Sequence, residues 1–108
     1  TRYTMEQDFY RGRLRTHHGL DALVPNDEDR AAVHDIIYSE LVQGIVTAAS
    51  RQRYLEVVAA GRQAGADSVI FGCTEIGMLL SRTDLPEPAF DTTALHAKAA
   101  VDFALQAP

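Results

Sequence analysis

Cys73, Thr74 and Glu75 put a thiol, a hydroxyl and a carboxylate on consecutive residues, the richest chemical cluster in the chain. A thiol becomes a base or nucleophile once ionised, and it ionises most readily beside backbone N–H groups at the start of a helix. Cys73 falls at such a place. Val69, Ile70 and Phe71 form a β-branched and aromatic run, the composition of a strand buried on both faces. Gly72 ends the run, and Glu75 to Leu80 reads as the first turns of a helix. In an open parallel sheet, the carboxyl ends of strands and the amino ends of helices meet where ligands bind. The plainer alternative is a buried structural cysteine, with Thr74 as an N-cap and Glu75 as a dipole-compensating acid.

A Cys-His nucleophile pair would need a histidine from a distance, and His17, His18, His34 and His96 are available. His96 follows the last expected strand by one helical turn, so it could share a cleft with Cys73. His34 reads as solvated on a charged helix face, and His17 and His18 as capping carbonyls beside Gly19. No Cys-His spacing fits zinc, and there is no glycine-rich phosphate loop or dinucleotide fingerprint. Metal ligands and cofactors are therefore not expected.

The elements that must position Cys73 follow from periodicity and caps. Thr4-Met-Glu-Gln7 has the form of a capping box, opening a helix that runs to Gly19. Leu20 to Val24 reads as a short strand closed by Pro25. Asn26 and the acidic residues after it cap a helix from Asp27 to Val42, with Val33, Ile36, Ile37 and Leu41 inward. Thr47 or Ser50 caps the next helix, whose inner stripe is Leu55, Val58 and Ala59 and which stops at Gly65. After the central strand and Glu75 to Leu80 come a proline-rich loop and a last short strand at Ala89 and Phe90. Thr93 to Leu105 is a helix with only a narrow polar stripe, to be buried or covered by another domain. The order α-β-α-α-β-α-β-α predicts an α/β fold, a three-layer α/β/α sandwich with a small parallel sheet. Three short strands are few for so many helices, and a strand before Thr1 would feed the first one. Thr1 and Arg2 would then lie in a loop on the ligand edge.

The 108 residues amount to one domain or part of one, with an ordinary globular balance of 46% hydrophobic and 23% charged residues. A net charge of −5 argues against nucleic-acid or anionic-membrane partners. A single cysteine allows no internal disulfide, and no apolar run approaches the roughly 20 residues of a membrane span. A soluble cytoplasmic protein is the default expectation. Starting at Thr1 without an initiator Met, in a helix-start signal, the chain reads as a piece of a longer protein.

Gly72-Cys-Thr-Glu-Ile-Gly77, after the strand Val69 to Phe71, resembles the second cysteine motif of the aspartate/glutamate racemase superfamily. Thr1-Arg-Tyr-Thr-Met-Glu-Gln-Asp-Phe-Tyr-Arg-Gly-Arg-Leu14 resembles the opening of the second domain in the amino-acid racemase branch. Phe90-Asp-Thr-Thr93 and the helix after it are similar to that branch too. The three motifs occur in the family's order and span essentially the whole chain. The resemblance implies two pseudo-symmetric α/β domains facing each other across a cleft, each supplying one catalytic cysteine. It implies neither pyridoxal phosphate nor metal. One thiolate takes the α-proton and the opposite thiol returns a proton to the other face. By this resemblance residues 1–108 are one such domain, Cys73 is one acid/base cysteine, and Thr74, Glu75 and Thr1 hold substrate. The first cysteine motif is absent from the chain. The expected partners are an amino-acid substrate, the N-terminal domain carrying that cysteine, and a second copy in a homodimer. Val42 stands about where some aspartate racemases carry a Lys for the substrate's side-chain carboxylate, which argues against strict aspartate specificity. Hydantoin-racemase-like or maleate-isomerase-like enzymes of the same fold, and a non-catalytic ligand-binding domain, are the alternatives.

Overall fold

A computed structural model describes residues 1–106. Among them are six α-helices, two 3₁₀ turns and two strands. The α/β class and the small parallel sheet expected from the sequence are present. The sheet is a pair: β1 (Val69–Phe71) runs parallel to β2 (Ala89–Asp91), with Val69 opposite Ala89, Ile70 opposite Phe90 and Phe71 opposite Asp91.

The helix expected from Thr4 is divided in two, α1 (Arg2–Glu6) and α2 (Asp8–His18). Gln7 is extended at φ −86° and ψ 147°, so Thr4 lies inside α1 and no capping box forms there. Asp8 sits in the first turn of α2, and Arg15, His17 and His18 in its last, each suited to its end of the dipole. Gly19 closes α2 at φ 63°, its N–H reaching the Arg15 carbonyl while Leu20 N–H reaches Leu14.

Leu20–Val24 is not a strand. No ladder partner reaches this segment, because β1 and β2 pair only with each other. Its backbone is met locally instead: the Arg11 guanidinium donates to the Ala22 carbonyl at 3.3 Å.

Helix α3 (Asp27–Ser39) begins where Asn26 accepts the Asp29 N–H at 2.9 Å, with three acidic residues in its first turn. It stops before the expected Val42. Glu40 leaves helical geometry and accepts from Ser50 Oγ at 2.6 Å, tying the end of α3 to the start of α4 (Ala48–Gln63). A 3₁₀ turn over Leu41–Gln43 and Gly44, at φ 75°, complete the connection. Thr47 caps α4 through the Ser50 N–H. The buried side of α4 holds Ser50, Tyr54 and Val57, whereas the expected Leu55, Val58 and Ala59 are half-buried beside it. Tyr54 enters the core because its hydroxyl finds the Val33 carbonyl at 2.9 Å.

One core cluster joins these elements: Val33 and Ile37 of α3, Leu41, Tyr54 and Val57 of α4, Phe71, Leu79, Leu80 and Ala89. Phe71 is 2% exposed, yet Ile70 beside it is 39% exposed, so β1 is buried on one face rather than two. The short helix α5 (Ile76–Leu79) starts one residue later than expected, with Glu75 just outside it. Helix α6 (Thr92–Gln106) is the largest departure: no described residue on it is buried, and Phe103 is 79% exposed. Expected as a buried or covered helix, it shows its apolar side chains to solvent within this chain. No helix among the described residues is long and apolar enough to cross a membrane.

Candidate functional site

Cys73 sits immediately beyond the carboxyl end of β1, between Gly72 and the entry to α5. Gly72 is closely covered: a Cβ there would stand 3.7 Å from the Thr4 methyl of α1. The thiol is half-buried and packs against the edge of the core.

The structure brings the three expected neighbours together. Cys73 Sγ donates to Glu75 Oε2 at 2.8 Å, and Thr74 Oγ1 donates to the same oxygen at 2.6 Å. One carboxylate oxygen therefore gathers a thiol proton and a hydroxyl proton. These two donors hold the Glu75 carboxyl below its usual range, the Cys73 thiol first. Cys73 moves the other way. Burial pushes its thiol up, and donation to the anionic Glu75 adds to this by stabilising the protonated form. The Glu75 backbone N–H and the Thr1 amino group oppose the rise but do not reverse it. An ionised thiol favoured by a helix dipole was expected here, and the geometry gives a protonated one. The physical reason is burial first and the adjoining Glu75 carboxylate second, with α5 only four residues long.

Thr1 is the N-cap of α1 and lies beside this cluster without a hydrogen bond to it. It lines an apolar groove with Thr4, Met5, Leu23, Ile70 and Gly72, among others. The Thr74 hydroxyl cannot donate to a ligand while its proton serves Glu75.

The histidines stay apart from the cluster. His96 is exposed on α6 and is not hydrogen-bonded to Cys73 or Glu75. His34, expected to be solvated, is half-buried: its Nδ1 accepts the Arg2 N–H at 3.2 Å and its ring lies 4.7 Å from that of Tyr38. His17 and His18 are exposed in the last turn of α2. Val42 is 51% exposed in the 3₁₀ turn after α3.

Two residues near the site were not singled out from the sequence as part of it. Tyr54 of α4 is near enough to feel Cys73: burial, then the charges of Cys73 and Glu40, push its phenol far above the usual range. Thr92 reaches the end of β1 and donates to the Phe71 carbonyl at 2.7 Å. The sequence offered for Thr92 only its place in the Phe90-Asp-Thr-Thr93 motif, with no role, and for Tyr54 only its helical register.

A family model described as Asp/Glu/hydantoin racemase matches residues 1–100. The chain belongs to this racemase family. A crystal structure of a candidate Asp/Glu racemase from Yersinia pestis is 53% identical to it, with a TM-score of 0.91. That match covers 98% of this chain and 46% of the other. The family chain described here therefore spans about half the length of that relative. The Cys73 cluster lies inside the matched region.

The hydrogen bonds to Glu75 set a testable pH dependence. Its anionic oxygen favours the protonated form of Cys73, so replacing Glu75 lowers the thiol pKa toward that of an ordinary cysteine. Glu75→Gln is expected to shift iodoacetamide labelling of Cys73 to lower pH, and so to speed it at pH 7–8. A labelling profile unchanged by the substitution would show that Glu75 does not govern the thiol.

Proposed function

We propose that this chain is the cysteine-bearing second half of an amino-acid racemase, acting on aspartate, glutamate or a broader set without pyridoxal phosphate. The observation that supports it best is Cys73 held as a thiol by Glu75, at the mouth of β1 and inside the family-matched region. Racemisation needs proton transfer on two opposite faces of one carbon. A single base can return a proton only to the face it came from unless the carbanion turns over in the site.

In this reading a thiolate on the facing half breaks the α-C–H bond and takes the proton. The electron pair is left on the α-carbon and its carboxylate. Cys73 Sγ–H then delivers its proton to the opposite face and is left as a thiolate, and the reverse reaction exchanges the roles. Glu75 keeps Cys73 protonated before the transfer, as its hydrogen bond and lowered pKa support. The Thr74 backbone N–H and Thr1 would meet the substrate carboxylate, with the Thr74 hydroxyl released from Glu75 when substrate binds. The partners implied are the N-terminal half with the second cysteine and the amino acid itself, with a homodimer as a further assembly. We place the protein in the cytoplasm.

The family's printed description also includes hydantoin, so a 5-substituted hydantoin belongs among the trial substrates. The test is incubation in heavy water with L- and D-aspartate, L- and D-glutamate and such a hydantoin. Chirality is followed by chromatography and α-deuterium by NMR. A polypeptide joining both halves is expected to place solvent deuterium mainly in the inverted product. The 108-residue chain alone is expected to show no interconversion, because half the cleft that orients substrate and excludes water is missing. Orientation of that kind can be worth about 7–11 kcal/mol of barrier. Steady interconversion by the chain alone would overturn the two-half reading.

A further inference from the structure

The ladder between β1 and β2 ends at Phe71 opposite Asp91, because the next residue, Thr92, already belongs to α6. Phe71 is 2% exposed, so water does not readily reach its carbonyl. A side chain supplies the missing donor: Thr92 Oγ1 stands 2.7 Å from that oxygen. The hydroxyl is not needed to cap α6. Asp91 does that, with its Oδ1 accepting from Thr93 N–H at 3.0 Å and from Ala94 N–H at 3.2 Å. Asp91 also approaches α5, where a Cβ on Gly77 would lie 3.4 Å from Asp91 Oδ2. The strand end ahead of Cys73 is thus tied by Thr92, and Asp91 of the same turn lies close to the helix that follows Cys73.

We propose that Thr92 is a positioning residue for Cys73, its hydroxyl fixing the end of β1 and thereby the separation of the Cys73 thiol from the Glu75 carboxylate. Gly72 alone separates the bonded carbonyl residue from Cys73, so the anchored oxygen lies close along the backbone to the thiol. The 2.8 Å contact between Sγ and Oε2 joins two residues of one loop, so it depends on the backbone of that loop, whose upstream end Thr92 ties down. The charged or titratable groups around the thiol in the 108-residue chain are Glu75 on its own loop, the Thr1 amino group just ahead of α1 and the Tyr54 phenol from α4. Thr92 adds no charge, so it acts through geometry. Its catalytic significance rests on the racemase reading above, but its effect on the thiol does not.

The experiment is the pH profile of iodoacetamide labelling of Cys73 in the 108-residue chain, for wild type, Thr92→Val, Thr92→Ala and Thr92→Ser. Loss of the hydroxyl loosens the pair, and the thiol pKa falls. Labelling of the Val and Ala variants at pH 8 is expected to be about threefold faster, equivalent to about half a pKa unit. Thr92→Ser keeps the hydroxyl and is expected to follow wild type. Circular dichroism checks that each variant is folded. Profiles superimposable on wild type in a folded Val or Ala variant would overturn the proposal. So would unfolding of both hydroxyl-free variants, which would make Thr92 a stability residue only. Should the profile shift while Cys73→Ser, in a polypeptide joining both halves, left racemisation intact, Thr92 would still position the thiol and the catalytic assignment of Cys73 would fall.

Discussion

Cys73→Ser, in a polypeptide joining this chain to the facing half, is expected to fold as wild type does and to lose racemisation by at least about 10²–10⁴-fold, the usual worth of a positioned acid or base. The substitution is close to isosteric, and the serine hydroxyl can still donate to Glu75 Oε2. The difference lies in acidity. A thiol with a pKa near 8.5–9, even one raised by burial, cycles between SH and S⁻ at accessible cost, whereas an alkyl hydroxyl does not. The serine variant would therefore strand the carbanion without a proton donor of matched strength, and in the reverse direction would offer no base. Exchange of the α-proton with solvent, without inversion, is expected to persist if the facing thiolate still works. Measuring exchange and inversion separately thus distinguishes loss of one acid from collapse of the site. A serine variant racemising at close to the wild-type rate would end the catalytic assignment of Cys73.

Ile37→Ala is expected to cost about 2–5 kcal/mol of folding stability, a large share of the roughly 5–15 kcal/mol a domain possesses. Ile37 is 1% exposed and belongs to the cluster that joins α3 to Tyr54, Phe71 and Ala89. Its side chain has no polar atom, so the cost arises from lost burial plus the cavity left behind. The core is small, and few other buried side chains could shift to fill the space. Urea denaturation followed by circular dichroism reads the change in midpoint. A loss below about 1 kcal/mol would mean that the cluster collapses around the cavity or that Ile37 is not central to it.

Much of the local structure could be read from residue types because its causes are local. Asn26, Thr47 and Gly19 end or begin helices through contacts a few residues away, and each does so here. The position of Cys73 between β1 and α5 followed in the same way, from Val69 to Phe71 and the glycine after them. What was not legible depends on distant partners. Leu20–Val24 has strand composition, but composition does not provide a ladder. The break at Gln7 carries no proline or glycine to announce it. Tyr54 is a core residue because of the Val33 carbonyl, 21 positions away, and periodicity alone favoured Leu55 and Val58. The direction of the Cys73 shift was missed for a related reason. A helix N-terminus was weighed, but burial of the thiol, and then the carboxylate two residues on that accepts its proton, set the direction.

The sheet that carries Cys73 consists of two three-residue strands whose partners are separated by the whole stretch from Gly72 to Pro88. Helices α3 and α4, by contrast, are neighbours along the chain and share Ile37, Tyr54 and Val57. Closing the long connection loses chain entropy before the few ladder bonds repay it, so this pairing is expected to form after the helical pair and to open before it. The thiol is then expected to be sheltered late as the chain folds and to meet water and oxidants early when it opens, which hydrogen exchange of the β1 amides would check.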